Sequence, residues 1–97
     1  MLVYVVVDDC IGVDDVRDKY FHLFRTRDDA VKKVVDLFEQ AVKNAGIPDG
    51  YEVNEYGQTK DIYGRLFNIS LCEDEGYAEV YDEHTFNEYI NIEERTI

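Results

Sequence analysis

The stretch Thr26-Arg27-Asp28-Asp29-Ala30-Val31-Lys32-Lys33-Val34-Val35-Asp36-Leu37-Phe38-Glu39-Gln40-Ala41-Val42-Lys43-Asn44-Ala45-Gly46-Ile47-Pro48 decides the fold class. Val31, Val34, Val35, Phe38, Val42 and Ala45 recur at helical spacing and form one apolar stripe, widened by Leu37 and Ala41. Thr26 offers an N-cap hydroxyl, and Asp29, three residues on, is the acid of a capping box. Asp28 precedes Lys32 by four residues, Asp29 precedes Lys33, and Glu39 precedes Lys43, the favourable order for ion pairs on the outer face. Gly46 suits a left-handed position after the helix, Ile47 its apolar return contact, and Pro48 blocks continuation. The spacing predicts an amphipathic helix of about 18 residues, roughly 27 Å long. It has one sticky side and needs a sheet to cover.

The flanking segments supply that sheet. Leu2 to Val7 is apolar on both faces and β-branched, as a central strand would be. Asp8 to Asp18 reads as a polar loop containing Gly12. Lys19 to Arg25 reads as a second strand, with Phe21 and Leu23 on one face and Tyr20, His22 and Phe24 on the other. After the helix, Tyr51 to Tyr56 alternates strictly and ends at Gly57, predicting a third strand. Gly57 to Gly64 is a loop or turn. Arg65 to Cys72 is a fourth strand, with Phe67, Ile69 and Leu71 inward. Glu73-Asp74-Glu75-Gly76 is a hairpin turn, and Tyr77 to Glu83 returns as a fifth strand. In the tail, Tyr89 to Ile92 alternates and favours a short strand. The expected fold is α+β in two layers: a single acidic domain over residues 1–97, ordered ββαβββ. One mostly antiparallel sheet of about five strands carries the helix on one face. The second face still has Tyr and Phe to hide and must face a partner, a second copy or the C-terminal segment; a homodimer is expected.

Composition narrows function by exclusion. The 97 residues carry a formal charge of −12. The charge is −2 over residues 1–25, zero over 26–46, −2 over 47–65 and −8 over 66–97. Direct contact with nucleic acid or an anionic membrane is disfavoured, and a basic protein surface is the natural complement. No apolar run is long enough to span a bilayer. The first residues lack a basic region and meet Asp8-Asp9 at once, so they read as a strand and not a signal peptide, which predicts a cytoplasmic protein. Cys10 and Cys72 form neither a disulfide framework nor a zinc pattern, and both follow strand-like runs that could bring them near each other.

The run Val3-Tyr4-Val5-Val6-Val7, then Phe21 to Ala30 and Gly50-Tyr51-Glu52-Val53-Asn54-Glu55-Tyr56, resembles small uncharacterised bacterial and phage ββαβ domains. These share a YVVV-like first strand, an F-S-S-x-E-x-A helix start and a G-[FY]-x-[IV]-x-x-[FY] strand. The resemblance covers about the first 57 residues. It implies the fold and no activity. The longer, acidic C-terminal hairpin departs from that pattern.

Three constellations are candidates for chemistry or binding. Asp8, Asp9, Asp14 and Asp15 cluster near a strand end, where carboxylates hold divalent cations, but they lack the alternating spacing of a calcium loop. His22 and His84 are the two histidines, and neither belongs to a recognisable acid–base or nucleophile motif, with Cys10 or without it. Tyr77, Glu79, Tyr81 and Glu83 share one face of a strand about 6.6 Å apart, a flat stripe of aromatic and acid. Asp82 and Glu88 extend the charge. The partner-binding expectation is therefore Tyr77, Glu79, Tyr81, Asp82, Glu83 and Glu88. They would serve a non-catalytic, cofactor-free protein that docks on a basic surface, such as that of a nucleic-acid-binding protein. A phage inhibitor mimicking nucleic-acid charge, of the anti-CRISPR or anti-restriction kind, fits. The alternatives are a homo-oligomeric structural module, and a domain binding a small molecule or a divalent metal.

Overall fold

The computed structural model describes residues 1–11, 17–82 and 86–97. Gly12, Asp14, Asp15, Glu83 and His84, named above, lie outside the described residues. The elements are β1 (Leu2–Ile11), β2 (Arg17–Phe24), α1 (Arg27–Asn44), β3 (Gln58–Lys60), β4 (Leu66–Cys72), β5 (Tyr77–Tyr81) and β6 (Asn87–Thr96). The strands form one antiparallel sheet in the order β2-β1-β6-β5-β4-β3. The α+β class and the single helix stand. The sheet has six strands instead of about five, and the order is ββαββββ.

The helix begins and ends where its capping chemistry says it should. Thr26 Oγ1 accepts from the Asp29 amide at 3.2 Å. At the other end Gly46 has φ 81°, its amide donates to Lys43 O at 3.0 Å, and the Ile47 amide donates to Val42 O at 3.2 Å. That bond pair is a Schellman closure, and Ile47 and Val42 join the same core, supplying its apolar contact. The buried stripe is rotated from the expected one. Ala30, Val34, Leu37, Phe38, Ala41 and Val42 are buried, and Val31, Val35 and Ala45 are half-buried. Alanines set the rotation: Ala30, Ala41 and the strand residue Ala78 are all fully buried, where small side chains let helix and sheet close up. On the outer face Lys33 stands 3.9 Å from Asp36, and none of the three acid-first pairs is within ion-pair distance.

Registers assign the two faces of the sheet. Tyr4, Val6, Asp8 and Cys10 of β1 lie toward the helix, with Phe24, His22 and Tyr20 of β2 and Ile92, Ile90 and Glu88 of β6. Phe67, Ile69, Ala78 and Val80 complete that side of the core. Val3, Val5 and Val7 form a separate buried cluster on the opposite, open face.

Four expectations need correction. Gly57 to Gly64, expected as a loop or turn, holds the short edge strand β3, which pairs with β4. Tyr51 to Tyr56 is not a strand. Gly50 turns the chain with φ 73°, and Asn54 Oδ1 accepts from the amides of Tyr56 (2.9 Å) and Gln58 (3.0 Å). The side chain takes the backbone bonds a ladder would need, leaving Tyr51 as the residue that packs on the core. β1 also runs on through Asp8 and Asp9 to Ile11, where a loop was expected, because β2 and β6 pair with it along that whole length. Finally, the tail is a ten-residue strand in the middle of the sheet, not a short one.

Candidate interaction surface

The open face is built from alternate residues of every strand. β2 contributes Arg17, Lys19, Phe21 and Leu23; β1 contributes Val3, Val5, Val7, Asp9 and Ile11; β6 contributes Tyr89, Asn91, Glu93 and Arg95; β5 contributes Tyr77, Glu79 and Tyr81. Helix α1 packs on the other face, and no element among the described residues covers this one. Even so, Val3, Val5 and Val7 are each only 5% exposed. They are short side chains in a trough between the taller rows of β2 and β6, so their neighbours cover them. The valines of β1 are thus covered without a second layer, whereas aromatic side chains of the same face, Phe21 and Tyr89 among them, remain in solvent. On the open face the edge strand β2 leaves Phe21 at 53% and Leu23 at 63% exposed, with Leu66 at 44% and Tyr89 at 40% farther across the sheet; Tyr20, at 53%, is exposed on the other face of β2.

The expected stripe is divided by the structure. Tyr77, Glu79 and Tyr81 do share the open face. Tyr77 Oη donates to Glu79 at 2.5 Å, and Tyr81 stacks on Tyr89 with ring centroids 6.1 Å apart. Burial, then the Glu79 carboxylate, hold the Tyr77 hydroxyl well above its usual range. Asp82 and Glu88 do not belong to the stripe. Asp82 is buried, pairs with Arg65 at 3.5 Å and accepts the Phe86 amide at 3.0 Å, tying the two ends of the β5–β6 connection. Glu88 lies on the helix face, buried beside Asp8 and Cys10. Asp82 is 4% and Glu88 6% exposed, so neither presents its carboxylate on the surface. A signal for Glu88 was present: it shares parity with Ile90 and Ile92, the apolar side of β6.

The open face is not acidic. Across its described positions Arg17, Lys19, Lys60 and Arg95 stand against Asp9, Glu79 and Glu93. Arg17 holds Asp9 by two bonds of 3.0 and 2.6 Å, which keeps the Asp9 carboxyl below its usual range, and Arg95 meets Glu93 at 2.7 Å. On a chain of −12 this surface carries one base more than acids.

Sequence inspection missed the buried acids on the helix face. Burial first, then hydrogen bonding and repulsion from Asp8, push Glu88 up to about 8. Asp8 Oδ1 is buried with no hydrogen-bond partner among the described residues. Burial and the same acids push the Cys10 thiol up to about 12, so it is a weak nucleophile. Asp8 and Asp9 point to opposite faces and do not converge on one ion. Among the described residues no group of three His, Cys, Asp or Glu is arranged to hold a metal. Cys72 is on the open face and Cys10 on the other; both are free, and they are not neighbours. Among the described residues no helix is long and apolar enough to cross a membrane.

Comparison with protein-family models, curated proteins and solved structures finds no match to this chain.

Proposed function

We infer that this chain is a non-catalytic interaction domain that acts as a homo-oligomer, with the β2 rim as its contact surface. One observation carries the choice: Tyr20, Phe21 and Leu23 are exposed together on an edge strand whose surroundings are nearly neutral. Two copies of a −12 chain repel unless they meet where charge is lowest, and this rim is such a place. Docking on a basic surface has less behind it, because two of its six residues are buried and Glu79 is engaged by Tyr77. The free thiols of Cys10 and Cys72 suit a reducing cytoplasm.

Light scattering over a range of protein and salt concentrations tests this reading. A dimer is expected that strengthens with added salt, because salt screens the repulsion between two acidic copies. Docking on a basic partner would respond to salt with the opposite sign. Phe21→Ser with Leu23→Ser should give a folded monomer. A wild-type monomer at high protein concentration overturns the reading.

A further inference from the structure

Strand β2 has β1 on one side and, among the described residues, no strand on the other. The opposite edge, β3, is three residues long and is bounded by turns. By contrast β2 is eight residues long, contains no proline, and carries no formal charge from Tyr20 to Phe24. A long, flat, apolar edge is a template for another strand, and natural edges are usually blunted against this. We propose that β2 of one copy pairs antiparallel with β2 of a second copy about a two-fold axis at Tyr20, joining the two sheets into one. This rests on the homo-oligomer reading and adds the mode of contact.

The charges on β2 select the register. In a two-fold pair, if residue i faces residue j then j faces i, and residues directly opposite share a face of the sheet. An axis at Lys19 sets Lys19 against itself. An axis at Phe21 sets Arg17 against Arg25, the residue that follows the strand, and one at His22 sets Lys19 against that same Arg25. Like charges directly opposite are destabilising. An axis at Tyr20 avoids them. Asp18 then faces His22 of the second copy, a carboxylate beside an imidazole. Lys19 faces Phe21, and Arg17 lays its stem against Leu23. Lys19 already lies 5.9 Å from the ring of its own Phe21, so the ammonium would have an aromatic face on each side. The exposed flanks of Phe21 and Leu23 are covered in the same step.

Cysteine cross-linking in a Cys10→Ala, Cys72→Ser background tests the proposal. Directly opposed Cα atoms lie about 4.5–5.5 Å apart, within disulfide span. Tyr20→Cys should oxidise to a covalent dimer under mild oxidant at least tenfold faster than Phe21→Cys or His22→Cys, which do not face themselves. Faster linking at either of those positions overturns the proposal. No linking at any of the three, with light scattering still reporting a dimer, overturns edge pairing and leaves the homo-oligomer standing. A monomer overturns both. Should the cysteine variants not fold, amide exchange on the wild-type protein decides: β2 amides should exchange more slowly as protein concentration rises, and concentration-independent exchange overturns the pairing.

Discussion

Replacing Glu88 with glutamine should stabilise this domain at alkaline pH and change it little at acid pH. Glu88 is 6% exposed, opposite Cys10 and on the same face as Asp8. Burial, then the hydrogen bond and charge of Asp8, raise it from 4.5 to about 8. The folded-state value lies above the unfolded one. The protonated group's contribution is therefore fully present below about pH 4.5 and is lost as pH rises through about 8. A rise of about 3.5 pH units corresponds to about 5 kcal/mol at 1.36 kcal/mol each, and relaxation of the pair brings the expected effect to about 3–5 kcal/mol. Total stability for a domain of this size is about 5–15 kcal/mol, so the loss would be large. Urea melts of both proteins at pH 5, 7 and 8.5 measure it. Wild type should lose about 3–5 kcal/mol more than Glu88→Gln between the first and last, with the two within about 1 kcal/mol at pH 5. Parallel pH curves would refute the buried-proton account.

Other positions test separate parts of the fold. Phe38 is 7% exposed at the centre of the helix stripe, and Phe38→Ala should cost about 3–5 kcal/mol by denaturant melting. Gly76 has φ 65°, and a Cβ there would stand 2.6 Å from Ile92 Cδ1. Gly76→Ala should therefore cost at least about 2 kcal/mol in the same assay, from backbone strain and contact together. With its thiol raised to about 12, Cys10 should alkylate with iodoacetamide at pH 8 at least a hundredfold more slowly than glutathione, read by mass spectrometry of the modified peptide.

Local chemistry made the helix legible, because Thr26, Gly46 and Pro48 act on residues within a turn of themselves. The faces of β2, β4 and β5 were legible for a similar reason: period-two alternation is a property of the strand alone. Tyr51 to Tyr56 shows the limit of that signal. Alternation gives a segment a sheet-like pattern but no partner, and Asn54 captured the backbone first. Asp8 and Glu88 illustrate the converse. Asp8 looks like a surface acid in its own segment, and although Glu88 has the parity of Ile90 and Ile92, the burial of both is completed only when β1 and β6, far apart in the chain, become neighbours. Of the expected binding residues, Tyr77, Glu79 and Tyr81 could be placed by parity. Asp82 could not, because its role depends on Arg65 and Phe86 arriving from either side.

The β1–β6 pairing joins Leu2 to Thr96 and Ile11 to Asn87, so the middle of the sheet is assembled from opposite ends of the sequence. A ribosome makes about 5–20 residues per second, and the roughly 75 residues between these strands take about 4–15 s. For that interval β1 has only β2 beside it, and its other edge, Val3 to Val7, is bare. The hairpin can form early, but the core cannot close until the last strand emerges. Contacts of such long range belong to slow-folding topologies, in milliseconds to seconds rather than microseconds.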